Sequence, residues 1–141
     1  MSIYLDTSAA VPLFVPEPAS DRVAAWLEVC ADTLVSADWI LTEFASALAI
    51  KVRRGELLQK HAAAAWENFG IFSQSGLRLV PVTRATFMHA AQLVRSIRVE
   101  LRAGDALHLA MAVEAETTGI ATADDHLEKC ALIQGLAVTR F

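Results

Sequence analysis

The sequence is poor in charged residues and in cysteine. Charged residues make up 20% of its 141 residues and hydrophobic residues 55%, whereas a charged share of about 25% is usual. The chain therefore has more apolar surface to bury than a typical monomer, and we expect a partner to cover part of it. The two cysteines, Cys30 and Cys130, lie 100 residues apart and form no Cys-x-x-Cys pair, which argues against a zinc site and a disulfide framework.

Long apolar runs are also missing. Pro12 and Pro16 interrupt the first run, and His108 lies within "ALHLAMAV", so no run approaches the roughly 20 apolar residues that a membrane span requires. The N-terminus shows no basic segment followed by an apolar one, which is the pattern of a secretory signal. From the sequence we expect a cytoplasmic protein that does not contact a membrane.

An excess of positive charge is absent as well. The formal net charge is −4 and the isoelectric point is near 5.5, so no global field attracts nucleic acid and any polyanion must be held locally. Two basic groups are candidate phosphate contacts, although a solvated helix face or contact with an acidic group of a partner explains them equally well. These groups are Arg95, Arg98 and Arg102, and Lys51, Arg53 and Arg54.

Short β-branched or apolar runs alternate with longer helical patterns. The predicted strands are 2–5, 33–36, 77–82, 119–122 and 136–139. The predicted helices lie near 20–30, 38–54, 58–74, 84–98 and 104–118, and a short one begins at about 124. Strands separated by helices of this length are joined by crossovers and run parallel. We therefore predict one domain over residues 1–141, an α/β fold with a three-layer α/β/α sandwich and a mostly parallel sheet of four or five strands.

Two acidic residues follow predicted strands. Asp6 comes directly after "SIYL", and Asp124 comes after "GIAT" with Asp125 beside it. Both carboxylates would stand at the C-terminal ends of parallel strands, the edge at which open α/β sheets bind ligands. Each residue could also serve only as the cap of the helix that follows.

Two further acidic residues belong to predicted helices. In "DWILTEFASALAI" the apolar stripe runs through Ile40, then Glu43 or Phe44, then Ala47 and Ile50. If Glu43 lies in this stripe, an isolated anion there would be too costly to bury without a cation or a proton. A slightly rotated helix with Thr42, Glu43 and Ser46 on a polar face is the alternative. Asp105 opens a helix that is apolar nearly all round, and the helix dipole or capping could explain it.

The predicted topology brings these four carboxylates together. They cannot all stay ionised without positive charge, so either their pKa values are raised or divalent cations bind. Oxygen ligands suit a hard ion, Mg²⁺ or Mn²⁺, which can activate a water and neutralise charge on a phosphate. We predict that Asp6, Asp105 and Asp124 are direct or water-mediated metal ligands, and that Glu43 binds a second ion or orients the attacking water.

The segments that carry these acids resemble those of PIN-domain ribonucleases, in particular the VapC-type toxins of toxin-antitoxin pairs. "IYLDTSAAVPLF" is similar to the opening strand of the family, and "SADWILTEFASAL" to the helix with its second acid. "LRAGDALHLAMAVE" and "IATADDHLEKCALIQGLAV" are similar to its last two acidic segments. Each motif is loose, but the four occur in the family's order and span nearly the whole chain.

The resemblance assigns the catalytic and metal-binding acids of the family to Asp6, Glu43, Asp105 and Asp124, and a hydroxyl near them to Thr122. Thr7 and Ser8 stand where the family has small hydroxyl residues. It further implies cleavage of RNA with Mg²⁺ or Mn²⁺, a homodimer, and a higher assembly with a small antitoxin whose tail occupies the active-site groove. Asp125 could share the role of Asp124.

From the sequence we predict a divalent-metal-dependent endoribonuclease. One alternative is a PIN-like module that binds metal or RNA without cleaving it. A less favoured one is a small-molecule phosphohydrolase with Asp6 as nucleophile, because enzymes of that kind have a second Asp two residues later and this chain has Ser8. His108 could reach the site, but the sequence favours a buried core histidine.

Overall fold

Five strands and seven helices alternate along the chain, and the computed structural model describes all 141 residues. The strands are β1 (Ser2–Leu5), β2 (Thr33–Ala37), β3 (Arg78–Val80), β4 (Gly119–Thr122) and β5 (Ala137–Arg140). The helices are α1 (Thr7–Ala10), α2 (Ser20–Val29), α3 (Trp39–Arg53), α4 (Gln59–Ser75), α5 (Arg84–Ser96), α6 (Ala103–Glu114) and α7 (Asp125–Ile133). A single 3-10 turn, Val11–Leu13, follows α1.

The strands form one parallel sheet in the order β3-β2-β1-β4-β5. β1 is central and pairs with β2 through Ile3 and Leu34, and with β4 through Tyr4 and Ile120. The chain builds outward from β1 to β3 and then crosses back to β4, so the order reverses between β1 and β4. Crevices for ligands form at such a reversal, outside the C-terminal ends of the strands.

Successive strand residues face opposite sides of the sheet, and each side has its own core. Tyr4 and Ile120 belong to a cluster of 17 buried residues that includes α5, α6 and α7. Leu5 and Ala121, one position later, belong to a cluster of 14 that includes α3 and α4. Because side chains alternate along a strand, helices cover both faces, and the predicted three-layer α/β/α sandwich is confirmed.

Aromatic packing sets the rotation of α3. Its buried stripe consists of Ile40, Phe44 and Leu48, and the ring of Phe44 stacks on Phe69 of α4 with centroids 3.9 Å apart. Of the two residues that the sequence left open for this stripe, Phe44 is the one in the core. Glu43 is therefore turned to the border of the apolar face and is only partly buried.

Three boundaries differ from the predictions. β3 ends at Val80, before Pro81, because proline has no N–H for the ladder. α6 ends at Glu114 rather than near 118, since Glu116 has a φ of 53° and the Thr117 hydroxyl donates to Ala112 O at 2.8 Å. The short helix α1 directly after β1 was not predicted as a separate element. No helix has both the length and the apolar character needed to cross a membrane.

Candidate active site

A cleft of about 440 Å³ lies at the C-terminal ends of β1 and β4. Five acidic residues and one basic residue line it, together with hydroxyl and apolar side chains: Asp6, Glu17, Glu43, Asp105, Asp124 and Lys51. All four acids singled out in the sequence therefore border the same cleft. Of the basic residues considered as phosphate contacts, Lys51 lines it and the five arginines do not.

Asp6 joins β1 to α1 and is almost completely buried, with 2% of its surface exposed. One oxygen, Oδ2, accepts hydrogen bonds from Ser8 N at 3.3 Å, from Thr122 Oγ1 at 2.9 Å and from the Ser8 hydroxyl. The other, Oδ1, lies 3.6 Å from His108 Nε2. Asp6 thus caps α1 with one oxygen and leaves the second one directed at the site.

Glu43 projects from α3 into the same region. Its Oε2 accepts a hydrogen bond from Thr7 Oγ1 at 2.6 Å and a second one from His108 Nε2. Burial acts to raise the pKa of this carboxyl, but the hydrogen bonds and the charge of His108 outweigh it, so that the pKa lies below its usual value. The protein itself therefore favours the ionised form of Glu43.

His108 holds Glu43 from inside the core. Its ring is fully buried, and its Nδ1 lies 2.8 Å from the hydroxyl of Tyr4, which in turn accepts from Ala37 N at 3.1 Å. Burial acts to lower the pKa of His108, but its hydrogen bond to Glu43 and the surrounding carboxylates raise it overall. The sequence indicated a core histidine, and it is one, but it also reaches the site.

One feature of the sequence could have revealed this network. His108 lies three residues after Asp105 in a helix whose positions 106–112 are all buried. A polar ring in such a helix requires partners for both nitrogens. Residues three apart share a helix face, so the partners of His108 had to lie on the same side as the Asp105 carboxylate.

Asp105 occupies the first turn of α6 and does not cap it, because the cap position is Arg102 and makes no side-chain bond there. Burial, followed by the charges of Asp6, Asp124 and Glu43, raises the pKa of Asp105 to about 6. Repulsion by the neighbouring carboxylates thus adds to the effect of burial at this residue, and a nearby cation would relieve both.

Asp124 and Asp125 are separated by the geometry of the turn after β4. Asp124 lines the cleft and caps α7, because its Oδ1 accepts from Leu127 N at 2.7 Å. The Asp125 side chain is 71% exposed and forms an ion pair with Arg140, which lowers its pKa. Although the two residues are adjacent in sequence, Asp124 lines the cleft and Asp125 lies on the exposed surface beside Arg140.

The donor atoms in the cleft suit a divalent cation. One ligand atom each of Asp6, Glu43 and His108 lies within 4.8 Å of the other two. Because His108 Nε2 donates its hydrogen to Glu43 Oε2, the carboxylate oxygens are the atoms available to an ion, and such oxygens are preferred by Mg²⁺ and Mn²⁺. The unbalanced charge on Asp105, at the same cleft, provides a second reason for a cation to bind there.

Gly104, next to Asp105, allows α6 to approach Glu43 closely. A Cβ at this position would lie 2.7 Å from Glu43 Oε1 and 3.5 Å from Trp39 Nε1. That indole N–H faces the Glu43 carboxylate and contributes to its lowered pKa, although Nε1 is buried without a hydrogen-bond partner of normal geometry. Any side chain at 104 must displace the carboxylate.

Gly104→Ala is expected to lower the predicted metal-dependent cleavage of RNA by about 10- to 100-fold, since a displacement of about 1 Å at a reacting centre has that effect. Stability should be unchanged or higher by up to about 1 kcal/mol, because alanine favours a helix more than glycine does. Gly70→Ala in α4 is the matched control, as its Cβ would meet nothing within 4 Å. Steady-state kinetics and thermal unfolding of both variants test this, and an unchanged rate for Gly104→Ala would contradict it.

The fold is that of a PIN domain, and the model of the PIN-domain family matches residues 3–132. The chain belongs to this family. Within it, the chain is similar to Ribonuclease VapC45 of Mycobacterium tuberculosis, with 32% identity over 124 residues, which cover 86% of this chain and 81% of that protein. The resemblance to VapC-type PIN domains, predicted from the four acidic segments, is confirmed.

Solved structures share the fold at lower identity. The M. tuberculosis toxin VapC20, described as cleaving the sarcin-ricin loop, superposes with a TM-score of 0.72 at 19% identity and covers 90% of this chain and 93% of its own. VapBC2 from Rickettsia felis, bound to a DNA fragment from its promoter, gives 0.67 at 15% identity with coverages of 99% and 98%. These structural similarities support the α/β fold described above.

Proposed function

We propose that this protein is an endoribonuclease and the toxin of a toxin-antitoxin pair. The observation that carries the proposal is the convergence of Asp6, Glu43, Asp105 and Asp124 on one cleft in a PIN domain related to Ribonuclease VapC45. A cluster of carboxylates at the switch point of a parallel sheet is suited to holding cations against a phosphodiester.

We propose that Mg²⁺ or Mn²⁺ is the cofactor and that the four acids hold it, directly or through water. When bound, such an ion supplies an activated water and neutralises charge on the phosphate. Asp6 contributes Oδ1, since its Oδ2 is occupied by Ser8 and Thr122. Asp105 contributes a carboxylate whose pKa of about 6 means that it is mostly ionised at neutral pH and gains from a nearby cation.

Glu43 orients the attacking water or holds a second ion. His108 and Thr7 fix its Oε2 by hydrogen bonds, so Oε1 remains available on the side of Gly104. His108 acts through Glu43 and is a positioning residue. Anchored by Tyr4, it holds the carboxylate ionised and in one orientation, which reduces the reorganisation needed during the reaction.

We further propose that residues 1–141 act as one nuclease domain and that the protein is located in the cytoplasm. It forms a homodimer, and this dimer assembles further with a cognate antitoxin. Support comes from the PIN fold shared with VapBC2 of Rickettsia felis and from the exposed apolar side chains of this chain, such as Phe87 at 53% and Met88 at 61%. A small reading frame for a DNA-binding protein next to the gene would fit this assignment.

RNA cleavage mapping tests the activity. Purified protein with Mg²⁺ or Mn²⁺ should cut RNA at defined positions, and EDTA should abolish the cuts. Since water rather than the 2′-hydroxyl attacks phosphorus, the fragments should carry no 2′,3′-cyclic phosphate, which distinguishes them from products of metal-independent contaminating ribonucleases. RNA binding without metal-dependent cuts would favour the non-cleaving module, and hydrolysis of p-nitrophenyl phosphate alone would favour the phosphohydrolase.

A further inference from the structure

Lys51 is the only basic residue that lines the acidic cleft. Five carboxylates line this cleft, and an RNA phosphate that approaches them is repelled wherever no cation compensates. Lys51 belongs to the last turn of α3, eight residues after Glu43, and the two residues line the cleft together with Ala47 and Ile50. With a rise of 1.5 Å per residue, the two backbone positions lie about 12 Å apart along the helix.

The ammonium group of Lys51 is already engaged by two acids. Its Nζ lies 2.6 Å from Glu17 Oε1 and 3.8 Å from Glu56 Oε2. The Lys51 side chain is 20% exposed and that of Glu17 is 25% exposed, so the closer pair is largely shielded from solvent, although both residues line the cleft. Glu17 comes from the segment between the 3-10 turn and α2.

We propose that Lys51 binds an RNA phosphate next to the one being cleaved, and that Glu17 holds its ammonium group in place until that phosphate displaces it. This inference rests on the proposed ribonuclease function and adds a substrate-positioning residue to it. A carboxylate partner keeps the lysine from collapsing onto the metal-binding acids, which a free ammonium group would otherwise neutralise. A phosphate oxygen can replace the Glu17 carboxylate because both are anionic acceptors.

Lysine fits this role better than arginine would. Its ammonium group is a compact charge on a flexible stem and can move from one acceptor to another, whereas the guanidinium group is a planar fork that favours a fixed bidentate partner. Lys51 is also distant enough from Glu43 along α3 that it contacts a neighbouring phosphate rather than the reacting one. Lys51 therefore contributes to binding the RNA and to positioning it along the cleft, and it takes no part in the chemical step.

The kinetic consequence is a change in KM with little change in kcat, because the contact is equally strong in the ground state and the transition state. For Lys51→Met we expect KM for a cleaved RNA to rise about 5- to 10-fold and kcat to stay within about twofold. Lys51→Arg should retain most of the binding. Lys60→Met is the matched control, since Lys60 is exposed on α4 and does not line the cleft.

Direct binding separates a phosphate contact from a structural ion pair. The probe is a fluorescein-labelled single-stranded RNA with Mn²⁺, measured in an Asp6→Asn background that does not cut it. Loss of one phosphate contact should reduce the slope of log affinity against log salt by about 0.7 in Lys51→Met but not in Lys60→Met. Glu17→Gln removes the competing carboxylate and should tighten binding about two- to fivefold at low salt.

Equal salt slopes and equal KM values for wild type and Lys51→Met, with only a lower melting temperature, would show a structural pair and overturn the proposal. Equal losses in Lys51→Met and Lys60→Met would show a general charge effect and overturn it as well. In both cases metal-dependent cleavage by the wild type would persist, so the ribonuclease assignment would stand. Absence of cleavage by the wild type would instead contradict the ribonuclease assignment.

Discussion

Asp6→Asn is expected to reduce metal-dependent RNA cleavage by roughly 10³-fold or more without unfolding the protein. The substitution preserves size, and the amide oxygen can still accept the hydrogen bonds that Ser8 and Thr122 donate to Oδ2. It replaces Oδ1, the oxygen that faces His108 and the cleft, by an NH₂ group that cannot bind a cation. The loss should therefore appear in activity and not in the circular dichroism spectrum.

Asp124→Asn and Asp125→Asn form a matched pair for the same assay. Both remove one carboxylate charge at adjacent positions, but only Asp124 lines the cleft, and Asp125 is paired with Arg140 on the surface. We expect a large loss of cleavage for Asp124→Asn and a change of less than about twofold for Asp125→Asn. Full activity of an Asp6→Asn preparation free of contaminating nuclease would contradict the proposed site, as would equal losses at 124 and 125.

The sheet was predictable because its signals are local. Each strand is a short apolar run bounded by helical patterns, and the length of the connections requires parallel strands. The positions of Asp6 and Asp124 follow from that topology alone, since a residue at the C-terminal end of a central parallel strand has to lie at the switch point. Both residues are also helix caps, so the capping alternative was correct without excluding a role in the site.

The parts of the site that the sequence did not predict depend on contacts between distant residues. The pairing of Lys51 with Glu17 joins α3 to a loop 34 residues earlier, and the contact of Tyr4 with His108 spans 104 residues. The rotation of α3 was ambiguous because Glu43 and Phe44 both fit the helical period, and the stacking of Phe44 on Phe69 decided it. Tertiary packing determines this rotation and the long-range pairs, and a hydrophobic periodicity of 3.6 residues does not specify how a helix packs.

The opposite pKa shifts of Glu43 and Asp105 also arise from tertiary structure. The sequence predicted that the four acids could not all remain ionised without positive charge, but it could not identify an acid whose pKa would be raised. Glu43 receives hydrogen bonds from His108 and Thr7, and its pKa is lowered. Burial and the charges of Asp6, Asp124 and Glu43 raise the pKa of Asp105, which has no comparable hydrogen-bond donors.

Asp105→Asn should therefore change stability in opposite directions with and without metal. In the metal-free protein, a carboxyl group whose pKa is about 6 when folded and 3.8 when unfolded destabilises the fold above about pH 6. This cost disappears as the pH falls through 6 toward 4. The difference corresponds to about 3 kcal/mol, and solvent contact at this partly buried group reduces it to about 1 to 2 kcal/mol.

At pH 7.5 in EDTA, Asp105→Asn should accordingly melt about 3 to 6 °C higher than the wild type, and at pH 4.5 the difference should shrink to about one third of that value, because the cost disappears fully only below the unfolded pKa of 3.8. With saturating Mn²⁺ at pH 7.5 the order should reverse, because the wild type gains stability from the bound ion and the variant has lost a ligand. Proton competition for Asp105 should also make the Mn²⁺-induced shift of the wild type smaller at pH 5.5 than at pH 7.5.

Asp38→Asn is the control for the removal of one negative charge, since Asp38 is exposed and its side chain makes no capping bond at the start of α3. It should leave the melting temperature within about 1 °C and the response to Mn²⁺ intact. A metal-free Asp105→Asn protein that is less stable than the wild type at pH 7.5 would contradict the electrostatic account of the cleft. An unaltered response to Mn²⁺ would remove Asp105 from the metal site while leaving that account in place, because repulsion among the carboxylates does not require Asp105 to touch the ion.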